Sequence, residues 1–263
     1  MLNFTRQNRG ATLLHDLIEN EKFDDICKLP EVWVFGYGSL VWLPKFEYTE
    51  KRVGKICGWQ RRFYQGNSTH RGVPGKPGRV ATLIKGTETS VTYGCAYKLC
   101  GTDEILNALD HLNMRESTLG GYILDVETFY CQKTGEICPV LLYTATSTND
   151  QFTGVESIMD LAKVIAFSTG ASGTNREYLF QLVNWQRNNL PGVSDDHLYD
   201  LDKATRSIIQ SRINGAVLPD KNGQMRPRST TKGRFELIRP PIVPRRRHSF
   251  QHISQKSLLR TTE

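Results

Sequence analysis

The chain has 263 residues, 38% of them apolar and 23% charged, values near the globular average that exclude collagen-like, coiled-coil and wholly disordered chains. Its formal charge of +7 is not spread over the chain. From Asn214 to Glu263 there are eleven Lys/Arg against three Asp/Glu, which leaves 23 basic and 24 acidic residues before that point, so the body is near neutral and a nucleic-acid-binding face is not expected.

Residues 1–30 form a polar lead-in in which Leu13, Leu14, Leu17 and Ile18 recur at helical spacing and can pack on the body. It has no long apolar h-region, and no later run approaches a membrane span. The six cysteines lack C-x-x-C spacing or a chelating His, so free thiols and no metal site are expected, in keeping with a cytosolic protein.

From Glu31 the texture turns to short β-rich segments at Val32–Phe35, Arg52–Ile56, Arg79–Ile84, Val91–Leu99, Tyr122–Tyr130 and Pro139–Thr144. Six such strands predict one curved sheet or small barrel. Between the fourth and fifth, Thr102 is placed to cap a helix with its stripe at Ile105, Leu106, Leu109 and Leu112, ending near Asn113. After the last strand come helices around Ile158–Ile165, from a capping box Thr174-Asn175-Arg176-Glu177 onward, and from about Asp195 to Ile209. Strands followed by helices give an α+β domain over 31–213. Residues 214–263, rich in Pro, Arg, Ser and Thr, read as a disordered basic tail.

Three segments are candidates to carry chemistry. In Val34-Phe35-Gly36-Tyr37-Gly38-Ser39-Leu40 a strand breaks into two glycines, and such a turn can aim consecutive N–H groups at a carboxylate or a developing oxyanion; it can equally be an ordinary strand-to-loop turn. It is not a dinucleotide fingerprint, because Val41 stands where the third glycine belongs, nor a serine elbow, because Tyr37 and Val41 flank Ser39 where glycines are needed. In Arg115-Glu116-Ser117-Thr118-Leu119-Gly120-Gly121-Tyr122 a carboxylate at a helix end precedes a double-glycine turn; the alternative is a solvated Glu paired with Arg115. The loop His70–Arg79, dense in Gly, Pro and cations, fits a basic lid over an acidic small molecule or a plain surface loop.

Taken in order, V-F-G-Y-G-S-L, R-R-F-x-Q-G, H-R-G-V-P-G-K-P-G-R-V, M-R-E with G-G-Y, L-L-Y and N-R-E-Y-L-F resemble the ChaC family of glutathione-specific γ-glutamylcyclotransferases, over roughly Trp33 to Arg212. The resemblance implies a γ-glutamylcyclotransferase-like fold, with the γ-glutamyl group received by the turn from Val34 through Leu40 and the catalytic Glu falling on Glu116. The stretch Ser117 to Leu119 makes the turn after Glu116 slightly longer than in the shortest relatives. Arg79, with Arg62 and Arg71, is a candidate for the glycine carboxylate of glutathione, or a structural ion-pair partner. Tyr122 and Tyr143 are candidates to hydrogen-bond near the site. No cofactor or metal is implied. Two other readings stand beside this one: the same chemistry on other γ-glutamyl compounds, and a binding module working through the tail, where Pro241-Ile242-Val243-Pro244-Arg245-Arg246 fits the P-x-x-P-x-R ligand of SH3-type grooves.

Overall fold

The computed structural model describes the backbone of residues 2–20, 22–117, 122–215, 217–219 and 225–227, and the side chains of 10–20, 22–113 and 123–214. In chain order the elements are α1 (Leu2–Glu19), α2 (Phe23–Ile26), β1 (Glu31–Gly36), a 3-10 turn (Ser39–Val41), β2 (Glu50–Cys57), β3 (Trp59–Asn67), β4 (Gly78–Lys85) and β5 (Val91–Cys100). Next come α3 (Thr102–Ser117), β6 (Tyr122–Cys131), β7 (Ile137–Ala145), α4 (Ile158–Phe167), β8 (Thr169–Gly170), β9 (Gly173–Thr174), α5 (Asn175–Asn189) and α6 (Asp196–Gly215). The chain divides after Ala216. In the second unit β10 (Val217–Pro219) pairs antiparallel with β11 (Met225–Pro227), Leu218 opposite Arg226. The remainder of the segment expected to be a disordered tail lies outside the described residues.

Five strands close a barrel in the order β1-β5-β2-β6-β7. All neighbours are antiparallel except the closing pair, in which β7 runs parallel to β1 with Val34 opposite Leu141 and Phe35 opposite Leu142. The alternation of V-W-V-F explains why β1 is buried on both faces. Trp33 and Phe35 enter one apolar cluster, with Ile56, Tyr97, Phe129 and residues of α4–α6, while Val32 and Val34 enter a second, with Leu14 of α1 and Ile105, Leu109 and Leu112 of α3. The lead-in is thus part of the folded body through α1.

Three expectations need correction. The strand predicted at Arg79–Ile84 is not in the barrel: it is β4, and it pairs with β3 in a separate two-stranded ribbon. β3 itself escapes the pattern, because Arg61 and Gln65 point polar groups into the interior and the register slips between Arg62 and Gln65. Arg61 is 2% exposed and is stabilised there by Asp195 Oδ2 at 3.0 Å and by the Tyr93 carbonyl. Third, α3 does not stop at Asn113 but continues to Ser117, which brings Glu116 into the helix. Thr102 is its first residue and not its cap; Glu104 instead reaches back to accept the Cys100 N–H at 3.2 Å. The Thr174 cap is as expected, its hydroxyl accepting from the Glu177 N–H. Among the described residues no helix is long and apolar enough to cross a membrane.

Candidate active site

The bend that follows β1 is built by glycine and fixed by its carbonyls. A Cβ on Gly36 would lie 2.5 Å from the Leu40 Cβ, so the chain doubles back here only because residue 36 has no side chain. The 3-10 turn then forms: Val41 N–H donates to the Gly38 carbonyl at 3.1 Å, and Trp42 and Leu43 N–H donate to the Ser39 carbonyl at 3.2 and 2.8 Å. Two side chains hold the next carbonyls, the Tyr97 hydroxyl donating to Leu40 O at 2.6 Å and Lys51 Nζ to Val41 O at 3.0 Å. With four successive carbonyls turned to these donors, the amides that open the turn, Gly38 and Leu40, have no acceptor within it. Such a start can receive a carboxylate or the charge that grows on a carbonyl oxygen. Burial raises the Tyr97 pKa far above the usual phenol, with the neighbouring Cys95 adding to it, so the anchor remains a protonated donor at every working pH. Burial likewise pushes the Cys95 thiol up to about 11.

Across the bend stands Tyr178 of α5, 5% exposed. A Cβ on Gly38 would lie 2.8 Å from its hydroxyl oxygen, and that oxygen accepts the Ala81 N–H of β4 at 3.2 Å. Trp42 and Phe63 pack edge-on to the ring, and the Arg71 guanidinium lies over it.

The third component is the end of α3. In the parallel register of β1 and β7, Tyr143 stands one residue beyond the Phe35–Leu142 pair and so level with Gly36, at the end of the barrel from which the bend departs. Its buried hydroxyl donates to Asn113 Oδ1 at 2.9 Å. Asn113 is one helical turn before Glu116, about 4.5 Å along the axis. The backbone of Glu116 is therefore tied, through Asn113 and Tyr143, to the barrel end that carries the bend. The side chains of Glu116 and Tyr122 lie outside the described residues; the Tyr122 backbone opens β6 opposite Ala145.

The remaining candidates are placed as follows. Val34 and Phe35 are fully buried in the two cores, so they contribute the path of the strand. Tyr37 is buried and Leu40 nearly so, while Ser39 is half-buried. Arg79 already has a carboxylate: its fork meets Glu156 at 2.7 and 3.2 Å. Burial works to raise the Glu156 pKa, but the hydrogen bonds from Arg79 and Thr153 outweigh it and hold the carboxyl below its usual range. Arg71 donates to Thr174 O at 3.0 Å and Glu177 Oε2 at 3.3 Å, and Arg62 to Arg61 O at 2.8 Å and Gln60 Oε1 at 2.6 Å. The His70–Arg79 loop is pinned rather than hung as a lid. Asn67 Oδ1 accepts the N–H of His70 and Arg71, and Asn175 closes both a donor and an acceptor contact with the Arg79 backbone. Tyr97, Tyr178 and Asn113 were missed from sequence because each reaches the bend or the α3 end only through a pairing register or a helix packed far away in the chain. Tyr178 did leave a trace, as the Tyr of N-R-E-Y-L-F.

Residues 32–208 match the family described as ChaC-like protein. Over 179 residues the chain is 42% identical to the human protein named glutathione-specific gamma-glutamylcyclotransferase 1, an alignment spanning 68% of this chain and 80% of that protein. The zebrafish protein of the same name is 39% identical over 189 residues, spanning 71% and 95%. A crystal structure of the γ-glutamyl cyclotransferase specific to glutathione from yeast is similar with a TM-score of 0.61 at 29% identity, covering 68% of this chain and 97% of that one.

Proposed function

The chain belongs to the ChaC-like family, and from that membership we propose that it is a glutathione-specific γ-glutamylcyclotransferase that converts glutathione to 5-oxoproline and L-cysteinylglycine, with Glu116 as its acid and base. In glutathione the α-amine and the γ-carbonyl belong to one glutamyl unit, so attack of the amine closes a five-membered ring and expels the cysteinyl nitrogen. No outside nucleophile is needed.

An α-amine titrates near pH 8 and is mostly protonated at pH 7, so a base must first take its proton. Glu116 fills that role and then returns the proton to the leaving nitrogen, help typically worth about 10² to 10⁴ in rate. The observation that carries this assignment is the Asn113–Tyr143 hydrogen bond, which ties the helix turn before Glu116 to the bend-bearing barrel end. Helical spacing adds that position 116 continues the stripe of Ile105, Leu109 and Leu112. On the bend, the amides of Gly38 and Leu40 hold the substrate's carboxylate or steady the carbonyl oxygen during attack, each such donor being worth about 10² to 10³. Holding the folded-back conformer near attack distance supplies the rest.

Purified protein incubated with reduced glutathione should release 5-oxoproline and cysteinylglycine, both read by mass, and Glu116→Gln should keep the fold while losing at least about 10³ of that rate. A wild-type rate in Glu116→Gln removes Glu116 from the mechanism. γ-Glutamyl-alanine, which lacks the cysteinylglycine half, should turn over far more slowly than glutathione. The tail lies beyond the family match at residues 32–208, so deletion of residues 220–263 should leave the rate unchanged, whereas a binding module working through the P-x-x-P-x-R pattern at Pro241–Arg246 would lose its partner.

A further inference from the structure

We propose that the cleft between residues 45–47 and the outer flank of α3 is a second binding site, one that takes a dipeptide in its zwitterionic form. The inference goes beyond the function proposed above and does not depend on it.

The cleft has a volume of about 790 Å³ and is lined by Lys45, Phe46 and Glu47 on one side and by Glu104, Asn107 and His111 of α3 on the other. It is distinct from the candidate active site. Glu104, Asn107 and His111 share one stripe of α3, while Ile105, Leu109 and Leu112, whose stripe position 116 continues, form another that enters the core. On the opposite wall, the Phe46 ring stands edge-on to Tyr97 at 5.6 Å between centroids, and Tyr97 in turn holds the Leu40 carbonyl of the bend. Phe46 therefore stands between the cleft and the anchor of the bend.

The backbone turns an unusual set of side chains to this cleft. In an extended chain Phe46 would face away from Lys45 and Glu47. Lys45 breaks that alternation: its φ is 60°, and among the described residues no other non-glycine residue has a positive φ. The conformation is costly for a residue with a Cβ and free for glycine, so a lysine kept there points to work done by its side chain.

Charge indicates the ligand. Among the described residues Lys45, Glu47 and Asn107 make no hydrogen bond or ion pair, with one another or with the rest of the fold. Glu104, by contrast, is held by the Thr49 hydroxyl at 3.3 Å and the Cys100 N–H at 3.2 Å. An ammonium and a carboxylate that share a wall without pairing suit a ligand carrying both charges, whereas a simple anion would meet Glu47 and a simple cation Lys45. Two residues of chain span at most about 7 Å, which is also the reach of a dipeptide from its ammonium to its carboxylate. The Asn107 amide supplies a donor and an acceptor for the peptide bond between those ends, and the Phe46 ring an apolar wall for a side chain. The dipeptide expelled in the reaction above has this form.

The test is titration calorimetry of the full chain with glycylglycine. We expect saturable binding with a dissociation constant below about 1 mM. N-acetylglycylglycine, which lacks the ammonium, and glycylglycine amide, which lacks the carboxylate, should each bind at least about tenfold more weakly. Lys45→Glu and Glu47→Lys should each weaken glycylglycine by at least about tenfold. Lys45→Gly should do the same while its thermal midpoint holds or rises, because glycine adopts the left-handed backbone without strain. Glu116→Gln should bind glycylglycine as the wild type does. Absence of binding at about 10 mM glycylglycine, wild-type affinity in Lys45→Gly, or equal affinity for the acetylated dipeptide overturns the inference. Binding that is lost in Glu116→Gln would place the dipeptide in the active site and overturn the second site equally. Turnover of glutathione by the wild type bears on the proposed function alone.

Discussion

Two glycine-bearing segments in this chain look alike in sequence and differ in what they do with their backbone. In the bend from Gly36 to Val41 the carbonyls of residues 38 to 41 are taken by the turn itself, by Tyr97 and by Lys51, while the amides of Gly38 and Leu40 find no acceptor within the turn. In the loop from Gly66 to Arg79 the amides are consumed: Gly66 donates to Gln151, His70 and Arg71 to Asn67, Lys76 to Val73 and Arg79 to Asn175. Its glycines serve close packing, since a Cβ on Gly78 would lie 2.3 Å from the Arg71 carbonyl and one on Gly72 would lie 2.2 Å from the Gly78 nitrogen. Glycine content alone does not mark a binding turn. What marks it is which backbone partner is left over.

The contrast can be broken most severely at the loop. Gly78→Ala places a methyl against backbone that cannot yield, and we expect it to cost about 2–4 kcal/mol. The thermal midpoint should drop by roughly 10 °C, while turnover per folded molecule at low temperature stays near wild type. Equal loss of activity and stability would make the loop part of the site.

At the bend the order of effects should reverse. Tyr97→Phe removes one hydrogen bond, to the Leu40 carbonyl, and should destabilise by about 1–3 kcal/mol. That freed carbonyl can turn, so kcat/KM should fall by about tenfold, a larger fraction of function than Gly78→Ala removes. Full activity in Tyr97→Phe would show that the bend holds its shape without its anchor.

A smaller effect, in pH, sharpens the comparison by touching neither segment. Burial, aided by the charge of Arg62 and opposed by that of Asp195, lowers the His197 pKa to about 4. The neutral ring accepts the Phe63 N–H at 3.2 Å. Because the unfolded chain takes up this proton from about pH 6.5 downward and the folded chain only near 4, stability should fall as pH drops through that window and stay flat above it. The loss is on the order of 2 kcal/mol once the partial exposure of the ring is allowed for. Thermal midpoints between pH 7 and 4.5 measure it, and His197→Gln, which keeps an acceptor for Phe63, should flatten the profile.

The strands of the barrel and the helices after it could be read from sequence because alternation and capping are local: β1, β5, β6 and β7 are where the V-W-V-F type of pattern puts them, and Thr174 caps α5. β3 could not be, since its inward Arg61 and Gln65 owe their burial to partners such as Asp195 and Asn149 that lie 134 and 84 residues away. The same limit explains the extra turn of α3, where the Tyr143 hydroxyl, 30 residues further on, reaches Asn113. In the candidate site the glycine bend was visible, because its chemistry lies in consecutive residues. The Tyr97 hydroxyl arrives from β5 with nothing in its neighbours along the chain to announce it, whereas Tyr178 of α5 left only the trace of its N-R-E-Y-L-F motif.

The parallel seam between β1 and β7 has a kinetic consequence. It joins Phe35 to Leu142, more than a hundred residues apart, and every other barrel pairing can form before it. Such distant closure is the costliest contact to make and a natural last step of assembly. A chain halted short of that step would retain most of its secondary structure and yet have no working centre, so turnover should recover later than secondary structure after dilution from denaturant.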